Sequence, residues 1–425
     1  MSVQRFVSGP LREQAFLLPP DVREWLPEDH LAWVVIDAVG QLDLSGLCGA
    51  YRGDGNGRPA YDPALLVALL LYSYATGERS SRVIERRCHE DVAVRVICAG
   101  LFPDHATIAR FRRRHAEALI GLFGQVLALC ELAGLGRFGT IAIDGTKIRA
   151  NASKYRYATE RQAARILAEA DAQDAAEDGF DADQQDALRG SGGAGGANER
   201  RARFERAARE LAESEALEQA SVVAKAASRE EPKRGSTRSR QAAGRGRQPS
   251  PTDPDSKIMK AASGSFVLGY NAQLAVSNDH LVVDCDLTTD ATDHAQLEPM
   301  IEAVRARTDR PRRRRIEFLA DAGYWNGDTV ERLRADRERV LVPPNGKPPR
   351  KPDATSPAAR MRVRLAKPAT AKRYQRRQAP VEPVIAHIKI NRRLDRFLLR
   401  GTAGARLEWT LGCTAHNLTR LAQAA

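Results

Sequence analysis

The chain has 425 residues, of which 43% are hydrophobic, and a formal net charge of +12. This length allows two or three domains with a sizeable core. The longest N-terminal apolar stretch, residues 64–72, is too short to span a membrane, and the N-terminus lacks a signal-peptide pattern, so we expect a cytoplasmic protein that contacts no membrane. The six cysteines form no C-x-x-C pair, which argues against a zinc ribbon or a disulfide framework.

Residues 1–135 are predicted to be helical. Within them, Asp62 can cap a helix whose first residue is Pro63. After a Gly-Leu-Phe-Pro break, residues 104–115 form a predicted basic helix with Ile108 on its inner face, and its outward side chains are Arg110, Arg112, Arg113 and Arg114. A short helix, a turn and a basic helix suit a helix-turn-helix-like reader of DNA, although an ordinary solvated helix face would give the same pattern.

From residue 138 onward the pattern changes to strands and helices. Strands are predicted at residues 140–148, 265–276, 281–289, 316–321 and 339–342, and helices at 293–306, 327–336 and 381–393. This order predicts an α/β layer fold. Residues 155–254 interrupt it with Ala-rich, Gly-rich and charged sequence that cannot bury a core by itself. We predict a helical and partly disordered insertion there.

Three carboxylates occupy positions suited to metal binding. Asp144 follows the apolar run 141–143, Asp321 ends the strand at 316–321, and Glu382 opens the last predicted helix. Hard divalent cations such as Mg²⁺ prefer carboxylate and phosphate oxygens, and two such ions can clamp an in-line phosphoryl displacement. Each acid alone would suit a strand-end turn or a helix start, but strand, turn and helix signals agree for all three. The sequence therefore predicts a metal site formed by these three side chains.

Positive charge is concentrated near these carboxylates. Residues 343–378 contain eleven Lys or Arg residues and one acid, Asp353, and four consecutive arginines lie within residues 310–315, directly before the strand that leads to Asp321. Such density suits neutralisation of the phosphates of a polyanionic partner. The alternative is a solvated loop that only aids solubility. Membrane binding is disfavoured because these stretches lack an amphipathic apolar face.

Several motifs together resemble those of a known family. They are RPAYDPALLVALLLYSY, PDHATIARFRRRH, AIDGTKIRANAS, TDPDSKIMK, GYNAQLAV, LADAGYWN, VEPVIAHIK and LGCTAHNL. With them the chain, from about residue 19 to residue 421, resembles the DDE transposases of bacterial insertion sequences, in the branch with a Y-R-E-K signature and a helical N-terminal domain.

The resemblance implies a domain organisation and a cofactor. It implies a helical DNA-binding domain at residues 1–135 and a ribonuclease-H-like catalytic domain at 136–425, which the insertion at 155–254 interrupts. Asp144, Asp321 and Glu382 would be its metal-binding triad, with two Mg²⁺ ions for which Mn²⁺ can substitute.

The Y-R-E-K signature falls near Tyr374, Arg377, Glu382 and Lys389. Two residues separate Tyr374 from Arg377, and six separate Glu382 from Lys389, as in the family. Four residues rather than three separate Arg377 from Glu382, so strict counting back from the glutamate would give Gln378 instead. Glu382 and Lys389 are seven residues apart and are predicted to share a helix face, from which Lys389 could reach a phosphate; otherwise it is a surface lysine.

Two further candidates rank lower. Asp290, Asp293 and His294 could form a metal cluster, although Asp293 is better explained as the cap of the helix that we predict to start there. Trp325 could stack on an unpaired base or belong to the core.

The predicted function is Mg²⁺-dependent DNA cleavage and strand transfer at the ends of an insertion element. The partners would be the terminal repeats of the element and its target DNA, with a homodimer on DNA and a nucleoid-associated location. Two alternatives remain open: a ribonuclease-H-like nuclease that cleaves without joining, and a non-catalytic DNA-binding derivative of a transposase.

Overall fold

The computed structural model describes residues 22–49, 51, 60–152, 253–261, 264–308, 316–346 and 355–424. The predicted insertion at 155–254 therefore lies almost entirely outside the described residues, and so does the arginine cluster at 310–315.

The described part of the N-terminal region, residues 22–49, 51 and 60–135, is mainly helical, as its sequence predicts. After a 3-10 turn at Val22–Trp25 come α1 (Leu31–Gly40), α2 (Ser45–Cys48), α3 (Pro63–Ala75), α4 (Ser81–Glu90), α5 (Val92–Ile97), α6 (His105–Arg114) and α7 (Ala116–Leu132). Asp62 caps α3 by accepting a hydrogen bond from the Ala64 amide at 2.9 Å, and Asp104 caps α6 by accepting one from the Thr107 amide at 2.8 Å. Both caps satisfy amides that the first helical turn leaves unpaired.

The rest of the chain mixes strands and helices. The strands are β1 (Thr140–Arg149), β2 (Lys257–Lys260), β3 (Phe266–Ser277), β4 (Val282–Thr288), β5 (Glu317–Ala320) and β6 (Arg339–Leu341). The helices are α8 (Leu297–Thr308), α9 (Gly327–Ala335), α10 (Pro357–Ala366), α11 (Pro368–Gln375), α12 (Gln378–Ala386), a π-helix (His387–Asn391) and α13 (Gly401–Ala424). A 3-10 turn, Ala322–Tyr324, follows β5.

The six strands form one mixed sheet. β1 pairs antiparallel with β3 and parallel with β5, and β6 extends the sheet parallel to β5. Both β4 and β2 pair antiparallel with the other edge of β3, at opposite ends of that long strand. Ile143 is in register with Ala320. The next residues along the two strands, Asp144 and Asp321, therefore lie side by side.

The structure departs from the predicted elements in the basic C-terminal stretch and around α8. The basic stretch contains two helices, α10 and α11. Pro357 and Pro368 do not interrupt them, since each lies in the first turn of a helix, where proline is tolerated. The helix predicted to begin at residue 293 begins at Leu297 instead. The short strand β2 was not predicted, and the helix predicted at 381–393 is split into α12 and the π-helix.

Two hydrophobic clusters cover the two faces of the sheet. The larger one joins the N-terminal helices to Ile141 and Ile143 of β1 and to the C-terminal helix α13. The smaller one joins Ala142 of β1 to α12 and to Trp409 of α13. The larger core therefore crosses residue 135, and the two predicted domains share it. No single helix in the described ranges is long and apolar enough to cross a membrane. Only α6 and α7 taken together reach that length and apolarity, and the two helices are bent by 77° relative to each other.

Candidate active site

Asp144 and Asp321 lie beside each other on neighbouring parallel strands. Asp144 is within β1, and Asp321 follows directly after β5. The Asp321 carboxylate accepts a hydrogen bond from the Gly323 amide at 2.8 Å and thereby opens the 3-10 turn Ala322–Tyr324. The structure thus brings together two acids that are far apart in sequence, as the pattern of strand ends predicted.

The Asp144 carboxylate is held in an environment that favours a nearby cation. Its side chain is only 20% exposed, and Arg377 Nη1 lies 3.3 Å from Asp144 Oδ2. Burial raises the pKa of Asp144 to about 6, the Arg377 charge opposes that rise, and the neighbouring Asp321 charge adds to it. Two adjacent carboxylates, one of them desolvated, repel each other unless positive charge lies between or beside them.

Glu382 lies on α12, which packs on β1 and β3. Its side chain is exposed, and among the described residues it makes no hydrogen bond or ion pair. In the part of the chain that the structure describes, no three His, Cys, Asp or Glu side chains lie close enough together to hold one metal ion. The structure therefore brings Asp144 and Asp321 together but does not gather Glu382 with them.

Arg377, rather than Gln378, contacts the Asp144 carboxylate. Arg377 Nη1 lies 3.3 Å from Asp144 Oδ2, whereas Gln378, the residue that strict counting from Glu382 would give, is exposed. Tyr374, three residues earlier, donates a hydrogen bond through its hydroxyl to the Ala320 carbonyl at 3.2 Å. Both side chains therefore contact the strand ends that bear the two aspartates.

Lys389 lies against β1 on the same face of the sheet as Asp144. Its Nζ donates to Thr146 Oγ1 at 3.0 Å and to the Lys147 carbonyl at 3.3 Å, and Thr146 and Asp144 point the same way because they are two residues apart on a strand. Burial lowers the pKa of Lys389. The spacing argument from Glu382 assumed a continuous α-helix, whereas Lys389 lies in the π-helix, whose wider turns change the angular spacing.

The interpretation of Asp293 as a helix cap is wrong. α8 begins four residues later, and Asp293 Oδ1 instead accepts hydrogen bonds from Asn271 Nδ2 at 2.7 Å, Gln273 Nε2 at 2.8 Å and Lys147 Nζ at 3.3 Å. The other two members of the suggested cluster, Asp290 and His294, are exposed.

Sequence reasoning missed the polar partners of Asp293, although a signal was present. Asn271 and Gln273 are fully buried on β3 and alternate with apolar residues of the other face. Polar side chains at a spacing of two on a buried strand need hydrogen-bond partners. That requirement could have pointed to a polar cluster on this face of the sheet.

One of the four arginines predicted to point outward from α6 is buried. Arg110, Arg113 and Arg114 are exposed, whereas Arg112 is 5% exposed and donates to the Arg79 carbonyl at 2.8 Å and to Ser81 Oγ at 3.0 Å. The outward placement of Arg112 was therefore wrong. It lies four residues after the inner Ile108 and so belongs to the same helix face.

Trp325 follows the turn after Asp321 and is partly buried. It packs against the larger hydrophobic cluster. Part of the Trp325 side chain therefore packs in the core, and only the rest of it is accessible to solvent.

Two families of known proteins match separate parts of the chain. Residues 20–114 match the family described as Transposase domain (DUF772), and residues 349–422 match the family described as Transposase DDE domain. Both matches are to transposase domains, and the C-terminal one is to a DDE domain. They therefore support a DDE transposase of an insertion element, in agreement with the resemblance seen in the motifs. Neither a curated protein nor a solved structure matches the chain.

Proposed function

We propose that this transposase catalyses metal-dependent cleavage of DNA at the ends of its element and joins those ends to a target. The single observation that carries the proposal is the pair Asp144 and Asp321, adjacent on parallel strands, with Asp144 desolvated and its pKa raised to about 6. Perturbed carboxylates of this kind concentrate at functional sites. The family matches supply the substrate class, since a transposase acts on DNA.

The strand order supports a ribonuclease-H-like core. With the short edge strand β2 set aside, the order across the sheet is β4-β3-β1-β5-β6. The central strand of the first three, β3, runs antiparallel to both β4 and β1, and the last three strands, β1, β5 and β6, run parallel to one another. In this arrangement the central strand β1 places Asp144 beside Asp321, while α12 lies against the same sheet with Glu382.

The donor set of the site fits hard divalent cations. Asp144 and Asp321 would hold Mg²⁺, or Mn²⁺ in its place, through carboxylate oxygens. Glu382, which the structure does not gather with them, would have to approach from α12 to complete the set. When bound, two such ions would activate the attacking oxygen and stabilise the leaving oxygen of the phosphodiester. Arg377 keeps the Asp144 charge compensated, and Lys389, which lies on the same face of β1 beside Thr146, would contact a phosphate next to the carboxylates.

Exposed basic side chains support binding of double-stranded DNA. Arg110, Arg113 and Arg114 form an exposed basic edge of α6, and α10 and α11 carry many of the basic residues between β6 and α12. Two element ends must be joined in one event, so we propose that a homodimer assembles on DNA, at the nucleoid.

A joining assay tests the proposal. A labelled linear duplex that carries one terminal repeat is incubated with supercoiled plasmid, the protein and Mg²⁺. We expect cleavage at the repeat end and transfer of the label to the plasmid, and neither product with Glu382→Gln. Cleavage without transfer of the label would favour the nuclease alternative, and DNA binding without cleavage would favour the non-catalytic derivative.

A further inference from the structure

Asp293 is the centre of a hydrogen-bonded cluster next to the two aspartates. Its Oδ1 accepts from Lys147 of β1 and from Asn271 and Gln273 of β3. The side chains of Asp293 and Lys147 are 20% and 13% exposed, respectively, and Asn271 and Gln273 are fully buried. One carboxylate oxygen therefore ties two paired strands to the segment that precedes α8, and it does so largely away from solvent.

The residue after Asp144 must be small for Asp293 to reach this position. A Cβ atom at Gly145 would lie 2.5 Å from Asp293 Oδ1 and 2.7 Å from Gln273 Nε2. Atoms that close would force the cluster apart. Because Gly145 has no side chain, the Asp293 carboxylate can pack directly on the backbone of β1 beside Asp144.

The same cluster extends to the turn that carries Asp321. Gln273 accepts a hydrogen bond from the Tyr324 hydroxyl through Oε1 while it donates to Asp293 through Nε2. Tyr324 is buried in the 3-10 turn that Asp321 opens. At Gly323, a Cβ would lie 3.0 Å from Asp321 Oδ1 and 3.7 Å from Asp293 Oδ2, so the carboxylates of Asp293 and Asp321 both lie close to this glycine.

Asp293 lies on the opposite face of β1 from the Asp144 side chain, and this position indicates its role. Neighbouring residues on a strand point to opposite faces, so Gly145 and Lys147 face Asp293, whereas Asp144 and Thr146 face α12 and Lys389. Three donors on Oδ1 hold Asp293 in place. Asp293 therefore contacts the backbone and the turn that present the reacting carboxylates, rather than lying among them.

We propose that Asp293 is a positioning residue for the catalytic carboxylates: through Gly145 and through Gln273 and Tyr324 it holds β1 and the turn after β5 so that Asp144 and Asp321 stay side by side. This inference rests on the proposed function. Groups that orient metal-binding carboxylates typically change metal affinity or activity by about 10–100-fold when they are altered. We expect an effect of that size on cleavage.

Two glycine variants give a matched test. Gly145→Ala adds one methyl group that collides with Asp293 and removes no polar atom, whereas Gly139→Ala, just before β1, adds the same methyl where nothing lies within 4 Å. Asp293→Asn removes the charge that faces Lys147 and nearly keeps the shape. The measurements on the full chain are cleavage rate against Mg²⁺ concentration, the rise in melting temperature on Mg²⁺ addition, and affinity for a terminal-repeat duplex.

We expect Gly145→Ala and Asp293→Asn to slow cleavage by about 10–100-fold, to raise the Mg²⁺ concentration for half-maximal cleavage and to reduce the Mg²⁺-induced rise in melting temperature. Gly139→Ala should match wild type, and DNA affinity should not change. Because both changes act on one cluster, the double variant should be no worse than the more damaging single variant.

Two results would overturn the positioning role. One is wild-type cleavage and Mg²⁺ dependence in both variants. The other is a lower melting temperature with an unchanged Mg²⁺ midpoint, which would make the cluster merely structural. Asp144→Asn separates the two proposals: if it is inactive while Asp293→Asn is normal, only the positioning role fails, and if it cleaves like wild type, the proposed function fails first.

Discussion

Replacing Asp144 by Asn should make the metal-free protein more stable while it abolishes catalysis. The Asp144 side chain is 20% exposed, and its pKa rises from an ordinary 3.8 to about 6, chiefly because burial disfavours the charged form. Each pKa unit corresponds to about 1.4 kcal/mol. Keeping this carboxylate ionised in the folded protein at neutral pH therefore lowers the free energy of unfolding by about 3 kcal/mol. Asn is uncharged and nearly isosteric, so it would not carry this cost.

The sign of the effect depends on pH. Below pH 3.8 the carboxyl is protonated in both the folded and the unfolded chain, so it does not alter the stability of the wild type. Between pH 3.8 and about pH 6 the unfolded chain has released the proton that the folded protein retains, so wild-type stability falls across this window and levels off above it. The stabilisation by Asp144→Asn should therefore be near zero at acid pH, grow across this window and reach its full size above it.

Denaturant unfolding in EDTA, followed as a function of pH, measures this difference. Asp336→Asn, at an exposed position after α9, is the control and should leave the free energy of unfolding unchanged. Added Mg²⁺ should stabilise wild type, because a ligand that binds only the folded state does so, but not Asp144→Asn. A variant that is less stable than wild type at pH 8 in EDTA would refute the reasoning.

Three further predictions concern arginines. Arg377→Met should slow cleavage strongly, because it leaves the buried Asp144 carboxylate without its ion pair, whereas the same change at the exposed neighbour Arg376 should have little effect on the cleavage rate; equal effects of the two would contradict the assignment. Replacing Arg110, Arg113 and Arg114 by Gln should weaken binding to terminal repeats and reduce the salt dependence, by about one unit of slope for each DNA phosphate that is no longer neutralised; an unchanged slope in a titration by fluorescence anisotropy would make α6 a solvated face. Arg112→Met should instead lower the free energy of unfolding by about 3 kcal/mol, since it removes buried charged hydrogen bonds to Arg79 and Ser81, and a melting temperature equal to that of wild type would count against this role.

The sequence predicts those parts of the site that local patterns determine. Apolar runs that end in Asp144 and Asp321 indicated strands, and parallel neighbours bring their ends together. Helical spacing also contained the information that Arg112 shares a face with Ile108. Proline at the start of α10 and α11 could likewise have been interpreted as helix initiation instead of a loop signal.

The role of Asp293 could not be obtained in the same way. The local sequence around Asp293 is compatible with a helix cap and equally with a buried hydrogen-bond acceptor. The partner of Asp293, Lys147, is 146 positions earlier in the chain. The choice between them depends on how β1 and β3 pair, which places Lys147 opposite Asn271. Interactions of this range follow from the tertiary fold, which local propensity does not encode.

The most direct test of the central claim is cleavage of a terminal-repeat duplex by Asp321→Asn in Mg²⁺. The substitution keeps the shape of the side chain and removes the anion, so folding and DNA affinity should match wild type. Loss of metal-dependent stabilisation of the transition state should cost several kcal/mol, enough to reduce cleavage by orders of magnitude. We predict no detectable cleavage with DNA binding retained; cleavage near the wild-type rate would contradict the assignment of Asp144, Asp321 and Glu382 as the catalytic carboxylates.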